Sequence, residues 1–81
     1  MDVRTRIRRY LDKAITDEFY DDDDIFLLGV VDSLFALQLV AFVEGEFLIT
    51  VEREELDIDN FCSVDSLTRF VRGKLGAERA D

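Results

Sequence analysis

Apolar residues recur at spacings of three and four in three stretches of the chain, and each stretch predicts an amphipathic helix. In the first, Val3, Ile7, Tyr10, Leu11, Ala14 and Ile15 line one face of residues 2–16, with Asp2 placed to cap the helix. The second, residues 33–47, reads "SLFALQLVAFVEGEF". It follows Asp32, a good capping residue, and holds nothing but helix formers and aromatics until Gly45. Because it is apolar on nearly every side, it is expected to be the central helix, touched by several neighbours at once. One stripe, Leu34, Gln38, Ala41 and Gly45, is mostly small or polar and is expected to face solvent. In the third stretch Val64, Leu67, Phe70, Val71 and Leu75 follow Ser63 as cap, with Asp65 and Ser66 in the first turn. Residues 76–81 are expected to fray.

The connections are long. Thr16 to Asp32 shows no sustained period, only an acidic run and then "IFLLGVV", whose apolar residues should pin the loop onto the core. Loops of this length in a small domain usually carry function or are disordered, and the apolar residues argue for order. In "LITVEREELDIDNFCS" the "ITV" segment is expected to be extended, with a short helical turn at residues 58–61. No strand and no internal repeat is predicted. The expected fold is all-α: a small four-helix bundle with three main helices, one short one and a long first loop, forming one domain over residues 1–81.

A formal charge of -9 disfavours nucleic acid and anionic membranes as partners and makes basic protein surfaces the natural complement. Arg4, Arg6, Arg8, Arg9 and Lys13 hold half of the positive charge, and the acidic "TDEFYDDDD" that follows them suggests charge balance within the fold. That acidic stretch offers no frame with the glycine and glutamate of a calcium-binding EF-hand loop, so no metal site is expected. The single cysteine, Cys62, cannot form an internal disulfide, and its apolar neighbourhood suggests a buried structural thiol in a reducing compartment. With no export signal and no apolar stretch long enough for a bilayer, a cytoplasmic, monomeric protein is expected. The chain has no histidine, which excludes Ser-His and Cys-His catalytic machinery.

The tetrapeptide Val-Asp-Ser-Leu occurs twice, at residues 31–34 and 64–67. At the second copy a helix start explains both Asp65 and Ser66. At the first, Asp32 takes the cap and Ser33 becomes the first helical residue, at the exit of the pinned loop and beside the spare stripe. Free backbone N–H groups and the positive end of the helix dipole suit that position to a phosphate ester. A serine without a histidine is not an activated nucleophile, so Ser33 reads as a substrate or attachment point for another enzyme.

"GVVDSLFALQLVAFVEGEF" resembles the phosphopantetheine attachment segment of acyl carrier proteins, in which Gly, a short spacer and Asp-Ser-Leu precede a long apolar helix ending in Glu and Phe. The resemblance spans nearly the whole chain and implies a non-enzymatic carrier with an acyl-carrier-like bundle. It implies that Ser33 accepts 4'-phosphopantetheine from coenzyme A through a phosphopantetheinyl transferase, and that Asp32 helps hold the transferase's magnesium ion. Leu34 matches the leucine of the docking surface, and Glu44 and Glu46 fall where family members offer acids to basic partners. Phe35 and Gln38 stand where fatty-acid carriers commonly have acids, so docking is expected to rest more on shape and apolar contact, notably at Phe35 and Ala41. The segments "SLFALQLVAFVE" and "ELDIDNF" look like those of free-standing carriers of glyceryl or methoxymalonyl-type extender units in polyketide and antibiotic biosynthesis. Implied partners are then a loading enzyme, tailoring enzymes and a synthase acceptor. D-alanyl and fatty-acid carriers are the neighbouring alternatives, and an unmodified acidic helical interaction module is the alternative of a different class.

Overall fold

A computed structural model describes residues 2–28 and 33–78, with side chains described through residue 76. The described residues form four α-helices and no strand: α1 (Val3–Ala14), α2 (Ser33–Phe47), α3 (Ile58–Phe61) and α4 (Val64–Glu78). A single 3-10 turn at Arg53–Glu55, not anticipated from the sequence, interrupts the connection from α2 to α3. It is fixed by two bonds between Glu52 and Glu55: the Glu55 carboxylate accepts the Glu52 N–H at 2.9 Å, and the Glu55 N–H donates to the Glu52 carbonyl at 2.9 Å. Among the described residues no helix is long and apolar enough to cross a membrane.

α1 starts as its sequence requires, the Asp2 carboxylate accepting the Thr5 N–H at 2.7 Å. It ends slightly earlier than expected because Ile15 adopts an extended backbone, which turns its side chain into the core while its N–H still reaches the Leu11 carbonyl at 2.8 Å. α4 runs further than expected, continuing through Gly76 to Glu78. Glycine lowers helix propensity by about 1 kcal/mol without blocking a backbone bond, and Ala77 and Glu78 are good helix formers. Residues 79–81 of the expected frayed tail lie outside the described residues.

The centre of the bundle is α4, not α2. α1, α2 and α3 all pack on α4, whose Val64, Leu67 and Val71 are fully buried. α2 contributes Leu39, Val43 and Phe47 to the core and meets α1 through Phe42, which stacks on Tyr10 at 4.0 Å between ring centroids. Its remaining apolar residues are not all covered: Leu34 is 63% and Leu37 is 69% exposed. A helix apolar all round normally satisfies every face with neighbours. Here the other elements of so short a chain cover only part of the circumference.

The first loop is ordered over its described part, residues 15–28, and is held by three devices. Ile15, Phe19 and Ile25 insert into the core. Two backbone bonds stitch the loop to the α3–α4 corner: the Ile25 N–H to the Cys62 carbonyl at 2.7 Å and the Asp65 N–H to the Asp21 carbonyl at 2.9 Å. The Asp21 carboxylate also receives Arg4 at 3.1 Å and Arg8 at 3.2 Å, and Arg4 bonds Asp65 as well. Arg8 further donates to the Phe19 carbonyl at 2.8 Å and lies over its ring. The expected charge balance between α1 and the acidic loop is therefore a set of specific contacts. Asp23 and Asp24 instead cap local turns, accepting the Tyr20 and Phe26 N–H groups.

Leu48, just past α2, has a φ of 55°, a left-handed conformation that favours glycine, and its side chain is 84% exposed. That backbone costs an ordinary residue about 1–2 kcal/mol. Leu48→Gly is accordingly expected to raise stability by about 0.5–1 kcal/mol in urea unfolding.

Two carboxyls are held below their usual range, Asp2 by the Thr5 N–H and Glu55 first by the Lys74 ammonium and then by the Glu52 N–H. A carboxyl depressed in the folded state stabilises fully above its unfolded value, about 4, and that contribution disappears as pH falls through the folded value. The urea midpoint is expected to fall below about pH 4, less steeply in an Asp2→Asn, Glu55→Gln double variant.

Candidate attachment site

Ser33 opens α2 and is exposed to solvent. The first-turn N–H groups of a helix have no partner within the helix, so an oxygen-rich group esterified here meets donors and the positive end of the dipole. Asp32, expected to cap the helix and to serve the transferase's magnesium ion, lies outside the described residues.

From Ser33 a groove of about 430 Å³ runs between α2 and the segment around α3. Phe26 from the first loop, Ala36, Leu37 and Val40 from α2, and Leu56, Ile58 and Phe61 from the opposite wall give it an almost wholly apolar lining. Asp57 contributes the lone charged side chain among the described lining residues. It is also the cap of α3, its Oδ1 accepting the Asp59 N–H at 2.9 Å. The fold builds the groove because α3 is too short to cover α2. Phe61 reaches the core, while Leu56 and Ile58 remain 56% and 58% exposed at the edge.

The second Val-Asp-Ser-Leu copy is used for structure, as its sequence suggests. Ser63 is buried and its Oγ accepts the Ser66 N–H at 3.0 Å and donates to Ser66 Oγ at 3.1 Å. The Asp65 N–H goes to the first loop, and Ser66 is half-buried. Cys62 is half-buried instead of buried: the corner between α3 and α4 turns its carbonyl inward to Ile25 and leaves Sγ beside Ser66, 3.6 Å from its Oγ.

Leu34, Gln38, Ala41 and Gly45 are exposed as expected. Phe35 is half-buried and tilted against Tyr10 at 6.3 Å, so its ring faces α1. Glu44 accepts the Val51 N–H at 2.9 Å, which ties the segment after α2 back to the helix. Glu46 receives Arg6 Nε at 2.6 Å, and Arg6 also donates to its carbonyl at 3.0 Å. Both glutamates thus hold the fold together, and the exposed face of α2 from Leu34 to Ala41 is uncharged. Sequence reasoning missed Leu37, Leu56 and Ile58. Leu37 stands one helical turn beyond Leu34, the one available signal that the exposed stripe widens into an apolar face. No group of three or more potential metal-ligating side chains is found among the described residues.

The chain is similar to curated carriers. It is 28% identical over 69 residues to the D-alanyl carrier protein of Streptococcus mutans, covering 83% of this chain and 87% of the relative. It is 33% identical over 61 residues to the D-alanyl carrier proteins of Lactococcus lactis subsp. cremoris and subsp. lactis, covering 73% of this chain and 77% of each relative. No family model matches the chain, and no solved structure does.

The division of α2 into a buried and an exposed apolar face has a direct measure. Leu37→Gln is expected to change unfolding stability by no more than about 0.5 kcal/mol. Leu39→Ala, two positions on, is expected to cost about 2–5 kcal/mol.

Proposed function

The chain belongs to the carrier-protein family of which the D-alanyl carriers are members, and from that membership we propose that it is a carrier whose attachment point is Ser33. It carries 4'-phosphopantetheine transferred from coenzyme A and is not itself an enzyme. When bound, that group supplies a thiol on a long arm, which holds the cargo as a thioester. The observation that carries the assignment of Ser33 is its position: an exposed hydroxyl on the first turn of α2, at the mouth of an apolar groove. Ser66, half-buried and bonded to Ser63, offers no comparable access.

The residues present fit such a group. The first turn of α2 provides N–H donors for the phosphodiester, and the lining from Ala36 to Phe61 suits methyl and methylene groups. With no histidine in the chain, the serine hydroxyl proton must be taken by the transferase. The face of α2 that a partner meets, Leu34, Leu37, Gln38 and Ala41, is uncharged, which supports docking by apolar contact and shape. The remaining partners in this reading are an enzyme that loads the cargo and one that accepts it.

The relatives are D-alanyl carriers, which supports an aminoacyl cargo of that kind over the glyceryl or methoxymalonyl extender suggested by "SLFALQLVAFVE" and "ELDIDNF". Nothing in the relatives' names points to polyketide or antibiotic assembly. Incubation with coenzyme A, magnesium and a broad-specificity phosphopantetheinyl transferase, followed by intact-mass measurement, is expected to add one pantetheine arm. Ser33→Ala should abolish the addition and Ser66→Ala should leave it. An unlabelled wild-type protein would favour the unmodified interaction module instead. Mass measurement of protein from its native host then reads the cargo, and an alanyl thioester is the expected product.

A further inference from the structure

We propose that Asp57 selects the charge class of the cargo, its carboxylate favouring an ammonium-bearing acyl group in the groove beside Ser33; this rests on the carrier reading. Among the described residues, the groove that begins at Ser33 has one charged lining side chain, and it is an acid. The carboxylate is oriented, because its Oδ1 accepts the Asp59 N–H at 2.9 Å at the start of α3. Glu55, an acid on the same connection, is bonded to Lys74 at 2.9 Å and does not line the groove.

The three cargo classes suggested for this chain differ in charge. An aminoacyl thioester such as D-alanyl carries an ammonium and is attracted. A neutral acyl or glyceryl unit gains apolar contact alone. A malonyl-type unit brings a second carboxylate and is repelled. Since Asp57 is itself exposed, the discrimination is that of a weakly shielded ion pair, about two- to fivefold in groove occupancy.

The test attaches pantetheine arms ending in amide-linked D-alanyl, propionyl or malonyl groups to Ser33, using coenzyme A analogues and a transferase, in wild type and Asp57→Asn. Asparagine caps a helix as well as aspartate, so α3 is retained. Occupancy is read from the nuclear magnetic resonance shifts of Leu37 and Ile58, and attachment from intact mass. Wild type is expected to show the order D-alanyl, propionyl, malonyl, with D-alanyl about two- to fivefold above propionyl, and Asp57→Asn to collapse the order. Equal occupancy of the three arms in wild type, or an order that survives Asp57→Asn, would overturn the proposal. Absence of the arm's mass on Ser33 would overturn the carrier reading, and this inference with it.

Discussion

The described part of the first loop, residues 15–28, is held to α1 and α4, and one residue, Asp21, does most to hold it. Its carboxylate takes Arg4 and Arg8 from α1 while its carbonyl takes the Asp65 N–H from the first turn of α4. A surface ion pair alone stabilises little. Here the pairs share partners with a backbone bond, and Arg8 adds a bond to the Phe19 carbonyl and a face-on contact with the Phe19 ring. Four charged groups from α1, the loop and α4 therefore fix one another, and Phe19 and Ile25 are delivered to the core as a result.

With the loop fixed there, α4 becomes the element on which the others pack, and α2 is left with a face that nothing in the described chain covers. The outcome is a helix whose inner residues Leu39 and Val43 are fully buried and whose outer residues Leu34 and Leu37 stand in water. Such exposure is unfavourable for an isolated domain, yet it lies beside the proposed attachment serine and along the groove. Glu44 and Glu46, the acids nearest this face, are turned into the fold by Val51 and Arg6. The described α2 face from Leu34 to Ala41 consequently has apolar contact to offer and no charge.

Much of this was legible in the sequence because it depends on local rules. The Asp2 and Ser63 caps and the α2 boundaries follow from propensity and spacing, and the contrast between the two Val-Asp-Ser-Leu copies follows from what precedes each. What escaped depends on which faces meet. Periodicity reports that α2 is apolar all round but not that a short α3 leaves half of it open. Charge counting places acids near basic residues, but it cannot tell that Asp21 bridges two elements while Asp23 and Asp24 cap their own turns. The left-handed Leu48 carries no glycine to announce it.

The net charge of -9 and the uncharged α2 face are compatible because they act at different distances. At separations up to about 8 Å, the screening length at physiological salt, an approaching partner senses the net charge, which is negative and draws in a basic surface. At contact, burial of apolar area and shape decide whether an encounter persists, and in the proposed reading the exposed Leu34 and Leu37 beside Ser33 would supply that area. Acids placed directly on α2 would have to be stripped of water at each docking event, whereas leucines gain from the same dehydration. A carrier that must bind and leave several enzymes in turn is served by that separation: charge sets how often partners meet, and a small apolar contact sets how briefly they stay.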